Sequence, residues 1–485
     1  MSHAVDGESS RRRGGGLLRL LLVLVAIAAL LVGGSRLSAQ SATFRPIPIP
    51  VVGRTTSVCT VAPPEPGSST SVSTVVIRQA PGRAGTLTSS ALGQPPNSTQ
   101  SEQGLGRLRT GQAVSQLLRG EGVAATASSG EVFSTGTSGA LRGLMAAPCE
   151  PPGTSHWFVG VGADASTRSE IFLSNPDDAQ AVVDLQFFGA TGEVVVPGSP
   201  GIVVESQGSR TIALESLLSV SGPVTVSVVA TRGRVAAIAR DLRSNNLTPA
   251  GADWHASAVP PSTQVVIPGV AAGTGARTLV VANPGTAPAT VGVDVLALTG
   301  PFAPTGAEQL EVPARGTATV DLAAGLAGQA GAVRLSSDQP VTGAVLASSS
   351  RPGAAPDLAV QSATPPLVRT GVVALAAATG IDSELVLSNP TDEPAPVSLE
   401  LLSFDGGTLR TDDVLIGPGA TSTRRLDVAG PAYLVLTVPA GSTVHGAVGY
   451  TQPEGPVAGL AGVSLTSPDV ASRAPNAVPD PTVGR

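Results

Sequence analysis

The chain has 485 residues, a formal net charge of −6, 58 Gly, 42 Pro and only 13% charged residues, yet 42% of it is hydrophobic. That length is too great for one core and calls for several. All 29 basic residues are Arg, a uniformity that reads as codon bias, and without Lys a Walker A loop, a Ser-x-x-Lys acylase and a pyridoxal Schiff base are excluded.

Residues 1–16 form a basic tail, and through residue 19 four Arg stand against Asp6 and Glu8, a balance of +2 that leaves −8 for the rest. That balance offers no basic face for nucleic acid. Leu17 to Val32 (LLRLLLVLVAIAALLV) follows, and residues 17–34 are predicted to be a transmembrane anchor. A cleaved signal segment ending near Leu37-Ser38-Ala39 is the alternative, because the apolar length falls between the two classes. Either way the basic flank keeps the N-terminus cytoplasmic and sends the bulk of the chain out of the cytoplasm. The expected location is therefore the cell membrane, with contact through that helix.

Residues 35–155 are rich in Ser, Thr, Gly and Pro. A strand pair is expected at Ser71 to Arg78 and Thr86 to Ala91, across an Ala80-Pro81-Gly82 turn. Gln112 to Arg119 is a candidate short helix, and Gly93 to Gly106 reads as a loop. Cys59 and Cys149 are the only cysteines; in an exported protein they are expected to form a disulfide. There is no Cys-x-x-Cys to suggest a redox pair or a metal site.

Three stretches then repeat one pattern: Ile171 to Gly192, Leu279 to Gly300 and Leu385 to Gly406. In each an apolar strand ends in Asn-Pro, a second apolar run follows, and a glycine closes a turn 17 residues after the Asn. Asn175, Asn283 and Asn389 lie 108 and 106 residues apart, so the repeat is about one domain long. An alternating strand begins 34 residues after each Asn, at Ser209, Thr317 and Thr423. Two further strands close each unit, with hairpin-like turns expected at Arg232-Gly233, Asp338-Gln339-Pro340 and Ala440-Gly441. The units are placed at 156–260, 264–364 and 370–465, and 466–485, with four Pro in its last stretch, reads as a disordered tail. Short β-branched runs punctuated by Gly and Pro predict an all-β fold of tandem immunoglobulin-like β-sandwich modules. A β-propeller, each repeat split into two blades, is the alternative.

Strand, Asn-Pro, strand, turn and strand, behind a basic N-terminus, an apolar segment and a Cys-flanked region, resembles the actinobacterial membrane-anchored proteins of domain-of-unknown-function family 5719. The resemblance implies an envelope location and brings no catalytic residues with it.

Candidates for chemistry are few. Asn175, Asn283 and Asn389 read as structural turns, since Asn bonds its own turn and Pro ends strand pairing. His156-Trp157 and Trp254-His255 pair the two Trp residues with His at the ends of the first repeat. They read as plugs between modules, with a shared binding cleft as the alternative. Asp177-Asp178 and Asp412-Asp413 read as solvated loops and not as a calcium site. No catalytic, cofactor or metal site is expected, because there is no Gly-x-Ser-x-Gly elbow and no His-Glu-x-x-His. The expected function is non-enzymatic: an extracytoplasmic envelope protein presenting β modules to a protein partner. Binding of envelope polysaccharide in a groove between modules is the alternative.

Overall fold

A computed structural model describes residues 22–27, 53–63, 65–77, 84–110, 114–246, 248–376 and 378–468. The chain divides into Met1–Ile49 and Pro50–Arg485. In the first, residues 22–27 are helical, a length of about 9 Å against a hydrocarbon layer of about 30 Å. Among the described residues no helix is long and apolar enough to cross a membrane. The expected single-pass anchor over residues 17–34, and the membrane location built on it, are corrected by that finding. The basic tail and the cleavage motif lie outside the described residues.

The fold is all-β, 60% strand and 4% helix. The first unit holds β1 (Arg54–Cys59), β2 (Ser68–Val76), β3 (Gly85–Ala91), β4 (Ser98–Gln100), β5 (Gly104–Thr110), β6 (Gln116–Gly122), β7 (Ser128–Gly136) and β8 (Gly143–Pro148). The second holds β9 (Ser155–Ala163), β10 (Thr167–Ser174), β11 (Ala181–Gly189), β12 (Gly192–Val194), β13 (Ile202–Val204), β14 (Ser209–Ala213), β15 (Val220–Arg232), β16 (Ala236–Asn245) and β17 (Thr248–His255). The third holds β18 (Ser262–Val270), β19 (Arg277–Asn283), β20 (Ala289–Ala297), β21 (Gly300–Phe302), β22 (Leu310–Val312), β23 (Gly316–Asp321), β24 (Gly331–Ser348) and β25 (Leu358–Ser362). The fourth holds β26 (Thr370–Ala374), β27 (Asp382–Asn389), β28 (Ala395–Ser403), β29 (Thr408–Ile416), β30 (Ala420–Arg425), β31 (Ala432–Thr437), β32 (His445–Thr451) and β33 (Leu460–Ser464).

Alternation builds each layer. In β20, Val291, Val293 and Val295 are buried while Thr290, Gly292 and Asp294 are only partly so, the period of a strand with one face on a core. The fourth unit has two antiparallel sheets, β29-β28-β31-β26 and β30-β27-β32-β33. One aliphatic core takes Leu385, Leu387 and Val448 from one sheet and Val397, Leu399 and Leu434 from the other. The first unit repeats the same succession, β4-β3-β6-β1 and β5-β2-β7-β8. It is a fourth copy, within the stretch 35–155 that composition marks only as rich in Ser, Thr, Gly and Pro.

Several local expectations change accordingly. β2 and β3 do not pair with each other: β2 lies between β5 and β7, and β3 between β4 and β6. The second half of the helix candidate at 112–119 is the start of the strand β6, and the expected loop at 93–106 contains β4 and the start of β5. Leu117 and Leu118 are both buried, on opposite faces, which a helical reading of a short apolar run cannot distinguish. The turn at Ala80 to Gly82 lies outside the described residues.

The expected hairpins are crossings between layers. β15 pairs with β11 and β9, whereas β16 pairs with β10 and β17. In the third unit the two expected strands are the single β24, whose Ala332–Ser337 pairs with β20 and Thr342–Ala347 with β19. Crossing lets both apolar runs face the same core from opposite sides.

The four units stand as blades in a propeller-like arrangement, the architecture held as the alternative. Each blade, however, is a whole unit and not half a repeat: two four-stranded sheets in the first and fourth, and one continuous sheet of nine and of eight strands in the second and third. Their last strands line the axis, with β8 and β25 each packed against both β17 and β33. The terminal segment expected to be disordered is ordered at its start, since Thr466 bridges to Val372.

Candidate functional site

The three Asn residues build nearly identical corners. Asn175 Nδ2 donates to the carbonyls of Ala179, Val204 and Glu205. Asn283 donates to Ala287, Val312 and Pro313, and Asn389 to Glu393, Ile416 and Gly417. Each Oδ1 accepts from the backbone N–H two residues on, at 3.0, 2.9 and 3.0 Å. All three side chains are buried and spent on the fold, so none is left to hold a ligand.

The His-Trp pairs sit at two different places. Trp157 stacks on Phe188, centroids 5.9 Å apart, within the core of the third unit. Trp254 packs with Phe172 against Leu141, Met145 and Ala147 of the first unit. They plug two separate junctions and form no shared cleft. His156 meets the Val235 carbonyl at 2.8 Å, and burial lowers its pKa. His255 is fully buried against Phe158, and desolvation pushes it down to about 4.

Asp177 is held by Arg234 at 2.8 Å and Asp412 by Arg410 at 3.0 Å, while Asp413 accepts from Ser398. Among the described residues no group of three or more His, Cys, Asp or Glu is placed to hold a metal.

Cys59 and Cys149 are joined in a disulfide. It ties the end of β1 to the segment leaving β8, where Val58 and Glu150 exchange backbone hydrogen bonds of 2.8 and 2.9 Å. That clamp sets Glu150 in the wall of a cavity of about 330 Å³ at the axis. All four units contribute to the wall: Ser57 and Glu150 from the first, Trp254 and Ser257 from the second, Gln361 from the third, Thr466 from the fourth.

Beside the cavity the axis is closed by two carboxylates. Asp253 of β17 accepts from Ala146 N at 3.2 Å and Val360 N at 2.9 Å, joining β8 to β25. Asp357, just before β25, accepts from Leu144 N at 2.8 Å and Leu460 N at 2.9 Å, joining β8 to β33. Gly143 makes room for it: a Cβ there would fall 2.3 Å from both Asp357 oxygens, and its φ of +120° suits glycine. Burial pushes the Asp357 carboxyl up to about 8 and Asp253 well above the usual range.

Glu150 is raised to about 8, chiefly by desolvation. Its carboxyl takes one long contact, 3.4 Å from Ser257 N. Gln361 is 3% exposed, and its amide has no hydrogen-bond partner among the described residues. Glu150 is the single ionisable side chain among the described residues of the wall; the remainder is hydroxyl, aliphatic, proline and indole, with the Gln361 amide and the Cys149 half of the disulfide. A neutral carboxyl and an amide in one wall can each donate and accept hydrogen bonds.

Sequence reasoning missed Asp253, Asp357, Glu150 and Gln361. A signal existed for the first two: each is a lone acid in an apolar run, AGADWH and AAPDLAV. Glu150 and Gln361 become notable only once four distant segments meet.

These features define an all-β protein of four like units closed around an axis, with one cavity assembled by all of them. The chain belongs to the family of unknown function DUF5719, whose profile matches residues 109–423. No curated protein matches it. Similar solved structures include a β-glucuronidase from Bacteroides uniformis, at 9% identity over 47% of this chain and 26% of that one, TM-score 0.11. Another is the serine-rich repeat protein Srr2 from Streptococcus agalactiae, at 7% identity over 73% of this chain and 90% of that one, TM-score 0.13. At those scores neither likeness bears on fold or function.

Proposed function

We propose that the protein is a non-enzymatic, extracytoplasmic scaffold of the cell envelope, its units immunoglobulin-like sandwiches that together present one binding surface around the axial cavity. One observation carries this reading: the cavity wall draws on all four units, so closing the ring creates a site that no unit has alone. The Cys59–Cys149 disulfide supports maturation in an oxidising compartment. A protein partner inserting a loop or terminus is the first reading. Envelope polysaccharide is the second, favoured by Glu150 and Gln361, whose hydrogen-bonding capacity is largely unused.

A photo-crosslinking side chain at Ser57, in the cavity wall, tests the reading in intact cells. A discrete protein adduct supports the first reading and a glycan adduct the second. Adducts no different from those formed at exposed Val195, on another part of the surface, would defeat both.

A further inference from the structure

A second cavity, of about 470 Å³, adjoins the first, and Thr364, Pro365 and Pro366 line both. The two are therefore compartments on either side of one ridge, a shape suited to a chain and not to a single small molecule. The second cavity contains a cation, Arg334, but it is already spent. Arg334 bonds Asp294 at 2.8 and 3.1 Å and the Pro390 carbonyl at 2.7 Å. His445, also in that wall, contacts Thr364 Oγ1 through Nδ1, and burial pushes it down to about 4, so it is neutral. Neither compartment offers a free positive charge for an anionic ligand, and one acid alone does not make a site for a polycation. Most hydroxyls of the axial wall are bonded within the fold, Ser128 to Ala124, Ser129 to Thr466 and Ser362 to Ala256 among them, and what the compartment offers is Glu150 and Gln361 with the hydroxyls of Thr55, Thr56 and Ser57 in the same wall. A hydroxyl-rich ligand matches it, because each of its groups also donates and accepts. The ridge prolines present apolar faces to the C–H faces of such a ligand.

We infer that the two compartments form one groove for an uncharged polysaccharide strand, anchored by Glu150 and Gln361 in the axial compartment and crossing the Thr364-Pro365-Pro366 ridge into the second. The inference rests on the glycan reading above and adds the class of glycan, the anchoring residues and the direction of the strand.

Isothermal titration of the full chain with neutral gluco-, galacto- and manno-oligosaccharides, from disaccharides to octasaccharides, provides the test. One series is expected to bind, with affinity rising with length until both compartments are filled. Glu150→Ala and Gln361→Ala should each weaken it by about tenfold, with the β-sheet circular dichroism of the wild type retained. Glu150→Gln keeps the side-chain shape and serves where the alanine variant does not fold; it should weaken binding less than Gln361→Ala. Ser262→Trp, which fills the second compartment from an exposed position, should remove the gain from longer chains. If no neutral series binds, the glycan reading falls and this inference with it. If one binds but Glu150→Ala and Gln361→Ala match the wild type, the glycan reading stands and the groove assignment is overturned. Displacement of the neutral series by oligouronates or oligolysine would overturn the uncharged class.

Discussion

Asp253 and Asp357 meet electrostatically at the axis: the charge of Asp357 opposes ionisation of Asp253, adding to the burial that already raises both. Each nonetheless accepts backbone N–H groups from two other strands of the ring. The pair trades charge for connectivity. A protonated carboxyl can still accept through its carbonyl oxygen, and it avoids the cost of a buried anion.

Stability should therefore fall as pH rises between 6.5 and 8. Asp357 and Glu150 have folded pKa values raised to about 8 from 3.8 and 4.5. Their contribution is complete below the unfolded values and is lost as pH rises through the folded ones. His255 and His445 are depressed to about 4; their contribution is present above 6.5 and lost toward acid, outside this window. Each acid contributes a slope of about 1.4 kcal/mol per pH unit. Urea unfolding at pH 6.5 and 8 should show the fall, and Asp357→Asn should reduce it. A flat profile would show that the acids are ionised in the fold.

Asp357→Ala should cost on the order of 3 kcal/mol, since it leaves the N–H groups of Leu144, Leu358 and Leu460 without their acceptor. Gly143→Ala forces a Cβ against the same carboxylate. The double variant should cost less than the two single costs added together; full additivity would mean that the two positions do not touch.

Asn283→Ala should cost about 2–4 kcal/mol, because three carbonyls lose a donor and the Gly285 N–H loses its acceptor. Asn175 and Asn389 make the same bonds, so their alanine variants should fall in the same range by thermal unfolding. A near-neutral result at any one would separate that corner from the other two.

Reducing the Cys59–Cys149 disulfide, which spans 90 residues, should cost about 4–5 kcal/mol on a loop-closure argument. The urea midpoint with and without reductant measures it. An unchanged midpoint would mean that the first unit needs no covalent tie.

Trp157→Ala and Trp254→Ala should each cost about 3–5 kcal/mol. They lie in separate buried clusters, so the double variant should be close to additive. Strong coupling would indicate one shared junction.

The three Asn-Pro units were legible because the Asn corner uses local partners, the carbonyl four residues on and the N–H two residues on. The first unit was not legible. It has the same strand succession as the fourth, but its second strand ends at Val75-Val76 with no Asn-Pro after it. Composition then suggested a loop-rich region where there are two sheets. The Trp junctions were half legible: two rare large side chains at the ends of a repeat mark boundaries, but they do not say which neighbour each one meets.

By itself the sequence determined strand content, the period of the repeat, the corner residues and the cysteine pair, all of which depend on chemistry within a few residues or on the scarcity of a residue type. Only the tertiary structure decided that four units close into a ring, that apparent hairpins cross between sheets, and that Asp253, Asp357, Glu150 and Gln361 meet at the axis. The reason is that alternation states which face of a strand is buried, whereas the identity of its neighbour is settled by contacts across a hundred residues or more.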